Sequence, residues 1–544
     1  MHYPLLVPSI LNRARTAFPN KEIITRVNGA DGVEGGVHRY TYGDMAARVN
    51  KLCNALTALG VKQGDRVGTF AWNTYRHLEA YFASPVMGAV NHTINIRLFP
   101  DDLVYIVNHA QDKVIFVDPD LCPILEALAP QLESVEHYII LTDDPEPATI
   151  LPNAVSYETL LAQASDRFTP PEMDEWDPAG LCYTSATTGR PKGVTYSHRA
   201  LYLHSMAECM ADTVAFSERD TTMAMVPMFH ANCWGFPYSS ALVGASQVMP
   251  GVRPDPQAIC ELIDQHKVTV TAGVPTIWVG VLDYLERSGR SYDFSSLRAV
   301  ISGGSAVPVS VIRAYKERLG VDLVHAYGMT EATPIVTYNR PKTHLEDLPE
   351  DEKYDLAGSQ GMVVAGLEMR LVDDEGNDLP WDGEQRGELL FRGPWISREY
   401  YNDERTAETY IDGWYHSGDI ASVDPEGYVQ IGDRVKDMVK SGGEWISSVD
   451  LETAIIAHPD VLEAAVIAIP HPTWVERPLA CVVPREGARD SLDRAQVLDF
   501  IRDRFARWWL PDDVVFIDEI PKTSVGKFDK KVLRERYQDW VVEE

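Results

Sequence analysis

The sequence has few of the features that would place it in a disulfide framework or a zinc-binding fold. Its 544 residues include seven cysteines, and no two are spaced as C-x-x-C. They stand singly along the chain, at Cys53, Cys122, Cys182, Cys209, Cys233, Cys260 and Cys481. Disulfide frameworks and zinc sites need paired or closely spaced cysteines. The pattern is typical of reduced thiols, and we expect a cytoplasmic protein.

Long apolar runs are missing as well. No stretch approaches the roughly 18 apolar residues that a membrane-spanning helix requires. The first residues, "MHYPLLVPSILNRARTAF", lack the basic region and long apolar run of a secretory signal. The final "WVVEE" carries no lipidation or peroxisomal signal. We therefore expect neither a membrane span nor export.

Basic residues are scarce relative to acidic ones. Lys and Arg total 49 and Asp and Glu total 80, which gives a formal net charge of −31. A nucleic-acid-binding surface needs clustered cations to neutralise phosphates, so this balance disfavours a nucleic-acid partner. It leaves room for a small anionic ligand, because a few local cations and backbone N–H groups are enough to hold one.

Helical and strand patterns alternate over the first part of the chain. A helix over "MAARVNKLCNALTAL", capped by Thr41 or Asp44, precedes a strand in "DRVGTFAWN", and "LVYIVNHA" followed by "KVIFVD" repeats that order. Such alternation predicts parallel sheets covered by helices. From about residue 360, apolar and polar residues alternate around Gly and Asp turns, which predicts an antiparallel β unit.

The last 110 residues or so read as a compact mixture of helices and strands, long enough to form a domain. We place the boundary at a polar break at Asp433. The expected fold is α/β: a large N-terminal domain, residues 1–432, of parallel α/β subdomains plus the antiparallel unit, and a small mobile α+β C-terminal domain, residues 433–544.

Small and polar residues follow three predicted strands, at 184–193, 302–305 and 325–331. Ligands of open α/β sheets bind at the carboxyl ends of strands. In "YTSATTGRPKG", successive small residues let backbone N–H groups converge on an anion, and Lys192 adds a cation. On composition alone, a flexible polar turn is the simpler interpretation. The triphosphatase motif GxxxxGK[ST] is not met, since "SVGKF" lacks both the leading Gly and the trailing Ser or Thr.

"YTSATTGRPKG" resembles the phosphate-loop signature of the adenylate-forming superfamily, which includes acyl-CoA synthetases, luciferases and peptide adenylation domains. Five further motifs follow in the family's order: "YGMTE", "RGELLFRGPWI", "GWYHSGDIA", "DRVKDMVKSGGEWIS" and "PKTSVGKFDKK". The resemblance covers nearly the whole chain. Stretches such as "VPMFHANCWGFPY" look most like bacterial medium- and long-chain fatty acyl-CoA synthetases.

The resemblance implies an AMP-forming acid–CoA ligase that uses ATP, Mg²⁺ and coenzyme A. A carboxylic acid, expected to be a medium- or long-chain fatty acid, becomes an acyl-adenylate and is then transferred to the thiol of coenzyme A. Alternatives within the superfamily are a short sulfur-containing acid such as 3-methylmercaptopropionate, an aryl acid, or a luciferase-like oxygenase. From a different class, a nucleotide-binding protein that has lost catalysis stays open. The resemblance also suggests a homodimer.

The same resemblance assigns roles to individual residues. The residues expected to act in catalysis are Thr184, Glu331, Lys440 and Lys527, with Mg²⁺ on Thr184 and Glu331. The positions expected to contact the nucleotide are Ser185, Thr187, Thr188, Gly189, Lys192, Trp234, Gly303, His325, Ala326, Tyr327, Thr330, Asp419, Arg434, Lys436 and Trp445. The positions expected at the acyl pocket or the coenzyme A loop are His230, Gly304, Gly442 and Gly443.

Physical chemistry fits several of these roles. A carboxylate at Asp419 has two acceptor oxygens for the ribose diol. An ammonium at Lys527 can bridge a carboxylate and an α-phosphate as charge builds between them. Trp234 resembles an aromatic gate of a fatty-acid tunnel, and Asp433 is the expected hinge of a rotating small domain. Without the motif context, Glu331 would be a helix N-terminal acid, Lys527 a surface lysine and each tryptophan part of a core.

Two positions depart from the family pattern. Ala186 and Ala326 stand where the family most often has Gly. If position 186 requires a positive φ, its Cβ costs on the order of 1 kcal/mol. Neither change removes a charged or coordinating group, so we expect effects on rate and nucleotide affinity and none on reaction class.

Overall fold

The computed structural model describes residues 3–27, 36–184, 190–434, 438–441, 444–471, 474–489, 491–523, 528–538 and 540, with the backbone alone at 433, 434, 444 and 445. The α-helices in these ranges are α1 (Val7–Ala17), α2 (Tyr42–Ala58), α3 (Tyr75–Val86), α4 (Pro100–Ala110), α5 (Cys122–Leu128), α6 (Tyr157–Ala162), α7 (His198–Glu208), α8 (Phe236–Val243), α9 (Pro256–His266), α10 (Pro275–Ser288), α11 (Val309–Ala314), α12 (Glu350–Gly358), α13 (Thr406–Thr409), α14 (Ser448–Ile456), α15 (Arg494–Ile501) and α16 (Lys530–Arg536).

The strands fall into four sheets. In chain order they are β1 (Glu22–Arg26), β2 (Val37–Thr41), β3 (Arg66–Phe70), β4 (Val90–Thr93), β5 (Asp112–Val117), β6 (His137–Ile140), β7 (Ala154–Ser156), β8 (Pro178–Tyr183), β9 (Gly193–Ser197), β10 (Thr221–Ala224), β11 (Ser246–Met249), β12 (Val270–Gly273), β13 (Ala299–Ser302), β14 (Leu323–Gly328), β15 (Ile335–Tyr338), β16 (Met362–Val363), β17 (Glu368–Val372), β18 (Gly387–Arg392), β19 (Tyr410–Ile411), β20 (Trp414–Val423), β21 (Val429–Arg434), β22 (Val439–Ser441), β23 (Glu444–Ile446), β24 (Val461–His471), β25 (Val475–Pro484) and β26 (Asp513–Phe516).

The strands in the first two thirds of the chain form two mainly parallel sheets. One has nine strands in the order β16-β15-β14-β13-β12-β10-β11-β1-β2, and the other has seven in the order β7-β6-β5-β3-β4-β8-β9. Antiparallel pairing occurs at their edges, at β1–β2, β14–β15, β15–β16 and β8–β9. Parallel strands need helical crossovers, which explains the alternation in the sequence.

The local sequence signals for helix α2 act as expected. Thr41 is its N-cap, and its hydroxyl accepts from the backbone N–H of Asp44 while Asp44 accepts from Thr41 in return. This reciprocal capping satisfies N–H groups that the first turn would leave unpaired. Along the helix, Val49, Leu52 and Leu56 are fully buried, so the predicted apolar face is the one that packs.

The antiparallel unit follows as a five-stranded sheet in the order β17-β18-β20-β19, with β21 also paired to β20. A separate five-stranded sheet, β23-β22-β25-β24 with β26 on β25, forms the C-terminal part together with α14, α15 and α16. The expected fold class, with parallel α/β subdomains, an antiparallel unit and a small α+β region, is confirmed.

Asp433 lies inside β21, where its backbone pairs with Ile420 of β20. The hinge predicted there therefore falls near the end of a strand, six residues before β22 begins. Contacts that cross this position include the bond from Ser447 Oγ to the Gly432 carbonyl at 3.2 Å and the ion pairs Arg386–Asp450 at 2.9 Å and Arg287–Glu486 at 3.3 Å. The division at residue 433 stays a prediction.

The chain's thiols and helices agree with two expectations from composition. All seven cysteines are free thiols, and all but Cys209 are buried. Burial raises the pKa of the Cys182 and Cys233 thiols, which suits their interpretation as small apolar side chains. None of the helices in the described ranges has the length and apolar character that crossing a bilayer needs.

Candidate active site

A cavity of about 600 Å³ lies at the carboxyl ends of the parallel strands. Thr184 follows β8, Gly303 and Gly304 follow β13, and Ala326 to Glu331 lie at and just beyond the end of β14. The three strand ends singled out in the sequence therefore meet in one cavity. The antiparallel unit adds Ser417, Gly418 and Asp419 from β20 to the wall. The volume is within the usual range for small-molecule sites.

The ends of the predicted phosphate loop are held together by their own backbone. Thr184 N–H donates to the Lys192 carbonyl at 2.9 Å, and Lys192 N–H donates to Thr184 Oγ1 at 3.3 Å. The chain enters and leaves the loop at adjacent points, as a closed anion-binding turn requires. Both residues line the cavity. The loop residues between them, 185–189, lie outside the described residues.

A tyrosine joins the lysine of this loop to the acid of the "YGMTE" motif. Lys192 Nζ donates to the hydroxyl of Tyr400 at 2.8 Å, and that hydroxyl donates to Glu331 Oε1 at 2.7 Å. Burial raises the pKa of Tyr400 well above its ordinary value, with the Glu331 carboxylate adding to the shift, so the phenol keeps its proton. The chain of hydrogen bonds fixes a cation and an anion on the same wall.

Glu331 is buried, and backbone hydrogen bonds hold its part of the wall in place. It is only 7% exposed, and its backbone is held by Ser397 N–H, which donates to the Glu331 carbonyl at 2.7 Å. The neighbouring Thr330 carbonyl accepts from the Tyr196 hydroxyl at 2.9 Å. Backbone contacts of this kind keep a carboxylate in one position, which a metal or phosphate site needs.

The residues present fit a hard cation that brings its other ligands with it. In the described ranges, no group of three or more His, Cys, Asp or Glu side chains could hold a metal by itself. Glu331 Oε1 accepts from Tyr400, which leaves Oε2 for a ligand, and the Thr184 hydroxyl lines the same cavity. Mg²⁺ binds in this way, through one or two protein oxygens plus phosphate oxygens and water.

Asp419 forms a second polar point of the cavity. The hydroxyl of Tyr327 donates to Asp419 Oδ2 at 2.5 Å, and Asp419 N–H donates to Ser417 Oγ at 3.1 Å. Asp419 is 6% exposed and lines the cavity. A carboxylate has two acceptor oxygens, which is the chemistry that a vicinal diol needs. The ribose role expected from the sequence stays a prediction.

Trp234 reaches the cavity from an unusual turn. Five consecutive residues, 231–235, have positive φ, at 40°, 57°, 53°, 51° and 80°. Positive φ in non-glycine residues is strained and persists only where the surrounding structure holds it. The turn places the Trp234 ring beside Gly303, where a Cβ would lie 3.4 Å from Trp234 Cη2 and 2.4 Å from the Ala326 carbonyl oxygen. A side chain at position 303 would not fit.

The rest of the wall is mainly apolar. Its aliphatic and aromatic members include Val214, Val226, Phe236, Ile301 and Ile335. One acid, Glu208, lies among them, at the end of α7. The cavity therefore has a polar part, around the phosphate loop and Asp419, and an apolar part that can take a hydrocarbon chain or ring.

The structure brings most of the expected residues together. Those that line the cavity are Thr184, Lys192, His230, Trp234, Gly303, Gly304, Ala326, Tyr327, Thr330, Glu331 and Asp419. His325 lies behind the wall: its Nδ1–H donates to the Gly358 carbonyl at 2.9 Å, and burial lowers its pKa to about 4, so the ring is neutral.

Other expected residues lie away from the wall or outside the described part. Lys440 is exposed on β22, with its backbone N–H bonded to Glu476. The residues outside the described ranges are Ser185, Ala186, Thr187, Thr188, Gly189, Lys436, Gly442, Gly443 and Lys527. Of Arg434 and Trp445 only the backbone is described, in β21 and β23.

Sequence reasoning missed Tyr400 and Glu208. Tyr400 follows the "RGELLFRGPWI" motif at a distance of four residues, and nothing in "SREYYND" distinguishes it from Tyr401. Glu208 lies in a helix with no motif at all. Tertiary packing brings Glu208 to the cavity wall, and it brings Tyr400 to the wall residues Lys192 and Glu331. Proximity to a recognised motif was the only available signal, and it applied to Tyr400 alone.

The comparisons with known proteins agree with this geometry. The family model described as AMP-binding enzyme matches residues 11–401, and the one described as AMP-binding enzyme C-terminal domain matches residues 450–527. A long-chain-fatty-acid–CoA ligase of Thermus thermophilus is 48% identical over 97% of this chain and 95% of its own length. A 3-methylmercaptopropionyl-CoA ligase of Ruegeria lacuscaerulensis is 44% identical over 99% of this chain and 98% of its own.

A solved structure extends the likeness to the fold. The crystal structure of the anthranilate CoA ligase AuaEII in complex with anthranoyl-AMP superposes with a TM-score of 0.87 at 28% identity, and the match covers 98% of each chain. The expectation of an adenylate-forming enzyme close to bacterial fatty acyl-CoA synthetases is confirmed. The chain therefore belongs to the AMP-binding enzyme family, as a member of its acid–CoA ligase group.

Proposed function

We propose that the protein joins a medium- or long-chain fatty acid to coenzyme A at the expense of ATP, which is cleaved to AMP and pyrophosphate. The observation that carries this proposal is the continuity of the cavity. Its polar part, with Thr184, Lys192 and Glu331, suits a triphosphate, and its apolar part, with Val226 and Ile335, suits an acyl chain. An acyl-adenylate has these two halves in one molecule.

In the first step, a carboxylate oxygen of the acid attacks the α-phosphorus, and the bond to the bridging oxygen of pyrophosphate breaks. Two anions must approach, so the wall has to offset negative charge. Lys192 supplies one cation, held in place by Tyr400. Asp419 fixes the ribose, which sets the direction of the α-phosphate relative to the acid.

Thr184 and Glu331 are the residues that would hold Mg²⁺. When bound, the ion supplies charge neutralisation for the phosphate oxygens. The contribution of this chain is to keep the Glu331 carboxylate in one orientation through Tyr400 and Ser397.

In the second step, the sulfur of coenzyme A attacks the acyl carbon and the bond to the AMP oxygen breaks. Lys527 serves the first step, and the segment with Gly442 and Gly443 serves the second. We infer that the small domain turns about Asp433 to exchange the two. The exposed position of Lys440 on β22, away from the cavity wall, supports a need for such movement.

The choice of acid rests on the apolar wall and on relatives. The Thermus thermophilus relative, 48% identical, is named for long-chain fatty acids, and this supports a fatty acid here. A second candidate is 3-methylmercaptopropionate, favoured by the 44% identical Ruegeria relative and by the polar group of Glu208 within the wall. We further propose that the protein acts in the cytoplasm, in keeping with its free thiols, and as a homodimer.

The test is release of AMP and pyrophosphate from ATP and Mg²⁺, measured across acids from propionate to palmitate and aryl acids, with and without coenzyme A. AMP release that needs coenzyme A and peaks at one chain length supports the proposal. Pyrophosphate release that ignores coenzyme A would mean a different acceptor. If ATP binds but no acid is turned over, the result would contradict the ligase activity and support a nucleotide-binding protein without catalysis. Lys527→Ala, assayed alongside, should lose the first step and retain thioester formation from preformed acyl-adenylate.

A further inference from the structure

We infer that Glu208, held by Ser239 and His204, forms a polar stop in the apolar wall and sets the upper chain length of the acid. The inference rests on the proposed function and extends it to the specificity of the acyl pocket. It assigns a specificity-determining role to a residue that belongs to none of the sequence motifs.

Glu208 is the last residue of α7 and is 2% exposed, yet it lines the cavity. Ser239 of α8 donates a hydrogen bond to its Oε2. His204, one turn earlier on α7, has its Nδ1 3.9 Å from the same oxygen. Ser239 and His204 therefore both face Oε2. Among the described residues, Oε1 has no hydrogen-bond partner, and it is the oxygen left for a ligand in the cavity.

The contacts of His204 and Glu208 determine which of their atoms carry protons. His204 Nε2 accepts from the backbone N–H of Ile335 at 3.2 Å, so a neutral ring carries its proton on Nδ1, which faces Glu208. Burial lowers the pKa of His204 to about 3, and burial raises the pKa of Glu208 well above its ordinary value. Both shifts favour the neutral forms of the two side chains. Since Oε2 accepts from Ser239, the acid proton lies on Oε1 and is available as a donor.

Glu208 has little freedom to turn away from the cavity. Gly235, at φ +80°, lies directly against it: a Cβ at that position would be 2.6 Å from Glu208 Oε2 and 2.5 Å from His204 Cε1. The acid is thus confined between α7, α8 and the 231–235 turn. A chain that extends this far along the pocket must meet the Oε1 hydroxyl.

The consequence for substrates follows from the cost of an unsatisfied polar group. An alkyl chain that stops short of Glu208 leaves room for water on Oε1. An alkyl chain that reaches it displaces that water and gives no hydrogen bond in return. A chain of the same length that ends in an uncharged acceptor, such as a hydroxyl, restores the bond. Sites built around such a bond discriminate strongly against analogues that lack it.

The experiment compares unbranched acids of increasing length with their terminal-hydroxy counterparts, using kcat/KM for coenzyme A-dependent AMP release. We expect the wild type to fall sharply beyond one alkyl length and to favour the hydroxy acid by roughly tenfold at the first length past that limit. Glu208→Leu should extend the alkyl limit by at least two carbons and abolish the hydroxy preference. Glu208→Gln, which keeps the shape and a donor, is the matched control and should retain both.

An alkyl profile identical in wild type and Glu208→Leu, with no hydroxy preference in the wild type, would overturn the inference and leave the ligase intact. If Glu208→Leu does not fold, the alkyl and hydroxy series on the wild type decides alone, because equal rates at every length would overturn it. Failure of all acids to turn over would instead overturn the proposed function.

Discussion

The hydroxyl of Tyr400 donates to Oε1 of Glu331 across 2.7 Å, beside the cavity, where both side chains are buried. The same hydroxyl accepts from Lys192 at 2.8 Å. One phenol thus bonds to both an ammonium and a carboxylate and keeps them at fixed positions on the same wall. Both charged groups line the cavity in which a triphosphate and its metal would bind.

Tyr400→Phe should lower kcat/KM for ATP about tenfold, because the bond lost to a charged group is a strong one and Glu331 becomes free to reorient. The half-saturating Mg²⁺ concentration should rise as well. Pyrophosphate release titrated with Mg²⁺ measures both. The matched control is Tyr284→Phe, which removes a hydroxyl bonded to Tyr292 at 2.9 Å, and neither of these residues lines the cavity. Equal Mg²⁺ titrations for wild type and Tyr400→Phe would contradict this role.

Asp419→Asn should weaken ATP use by roughly 10- to 100-fold, since an amide offers one acceptor oxygen where the carboxylate offers two. The variant should also lose most of its preference for ATP over 2′-deoxy-ATP. The ratio of kcat/KM for the two nucleotides is the measurement. Asp347→Asn, at an exposed position, controls for the loss of one negative charge. An unchanged ratio in Asp419→Asn would remove Asp419 from ribose recognition.

Gly303→Ala should cost about 1–3 kcal/mol of stability or displace the β14 end of the cavity, because the added Cβ would lie 2.4 Å from the Ala326 carbonyl oxygen. Chemical denaturation and the KM for ATP report the two outcomes. Gly280→Ala is the control: it lies within α10, where a Cβ has open space beyond a 3.7 Å contact with Pro256, so it should be neutral or stabilising. A harmless Gly303→Ala would mean that the strand ends have more freedom than their packing indicates.

The protein should lose stability on mild acidification through His77. Burial lowers the pKa of His77 to about 4, so the folded state keeps the ring neutral while the unfolded chain binds a proton below about pH 6.5. The stabilisation is complete above pH 6.5 and falls as pH drops, by about 1 kcal/mol between pH 7.5 and 5.5.

The measurement is urea unfolding of wild type and His77→Gln at pH 7.5 and 5.5. The difference between the two proteins isolates His77, because the buried carboxyls Glu79 and Asp112, whose pKa values burial raises, contribute with the opposite sign in both. A variant that loses as much stability on acidification as the wild type would show that His77 is not the sensor.

The sequence predicted the features that depend on local patterns of residues. The cap at Thr41, the face of α2 and the three strand ends depend on neighbours within a few residues, and the structure has them as expected. Asp419 and Glu331 could be placed because each lies in a recognised motif. Tyr400 and Glu208 could not, because the contacts that give them a role join positions 69 and 31 residues apart.

Helix α7 begins directly after β9, the strand that follows Lys192, and ends at Glu208 in the apolar wall. Its 11 residues, at 1.5 Å each, make a rod of about 16 Å. Its first turn lies at the edge of the sheet away from the cavity, where Ser197 pairs with Pro178, and its last residue lines the apolar wall. Substitutions in its last turn can therefore change which acid is accepted without changing its first turn or the residues expected to contact the triphosphate.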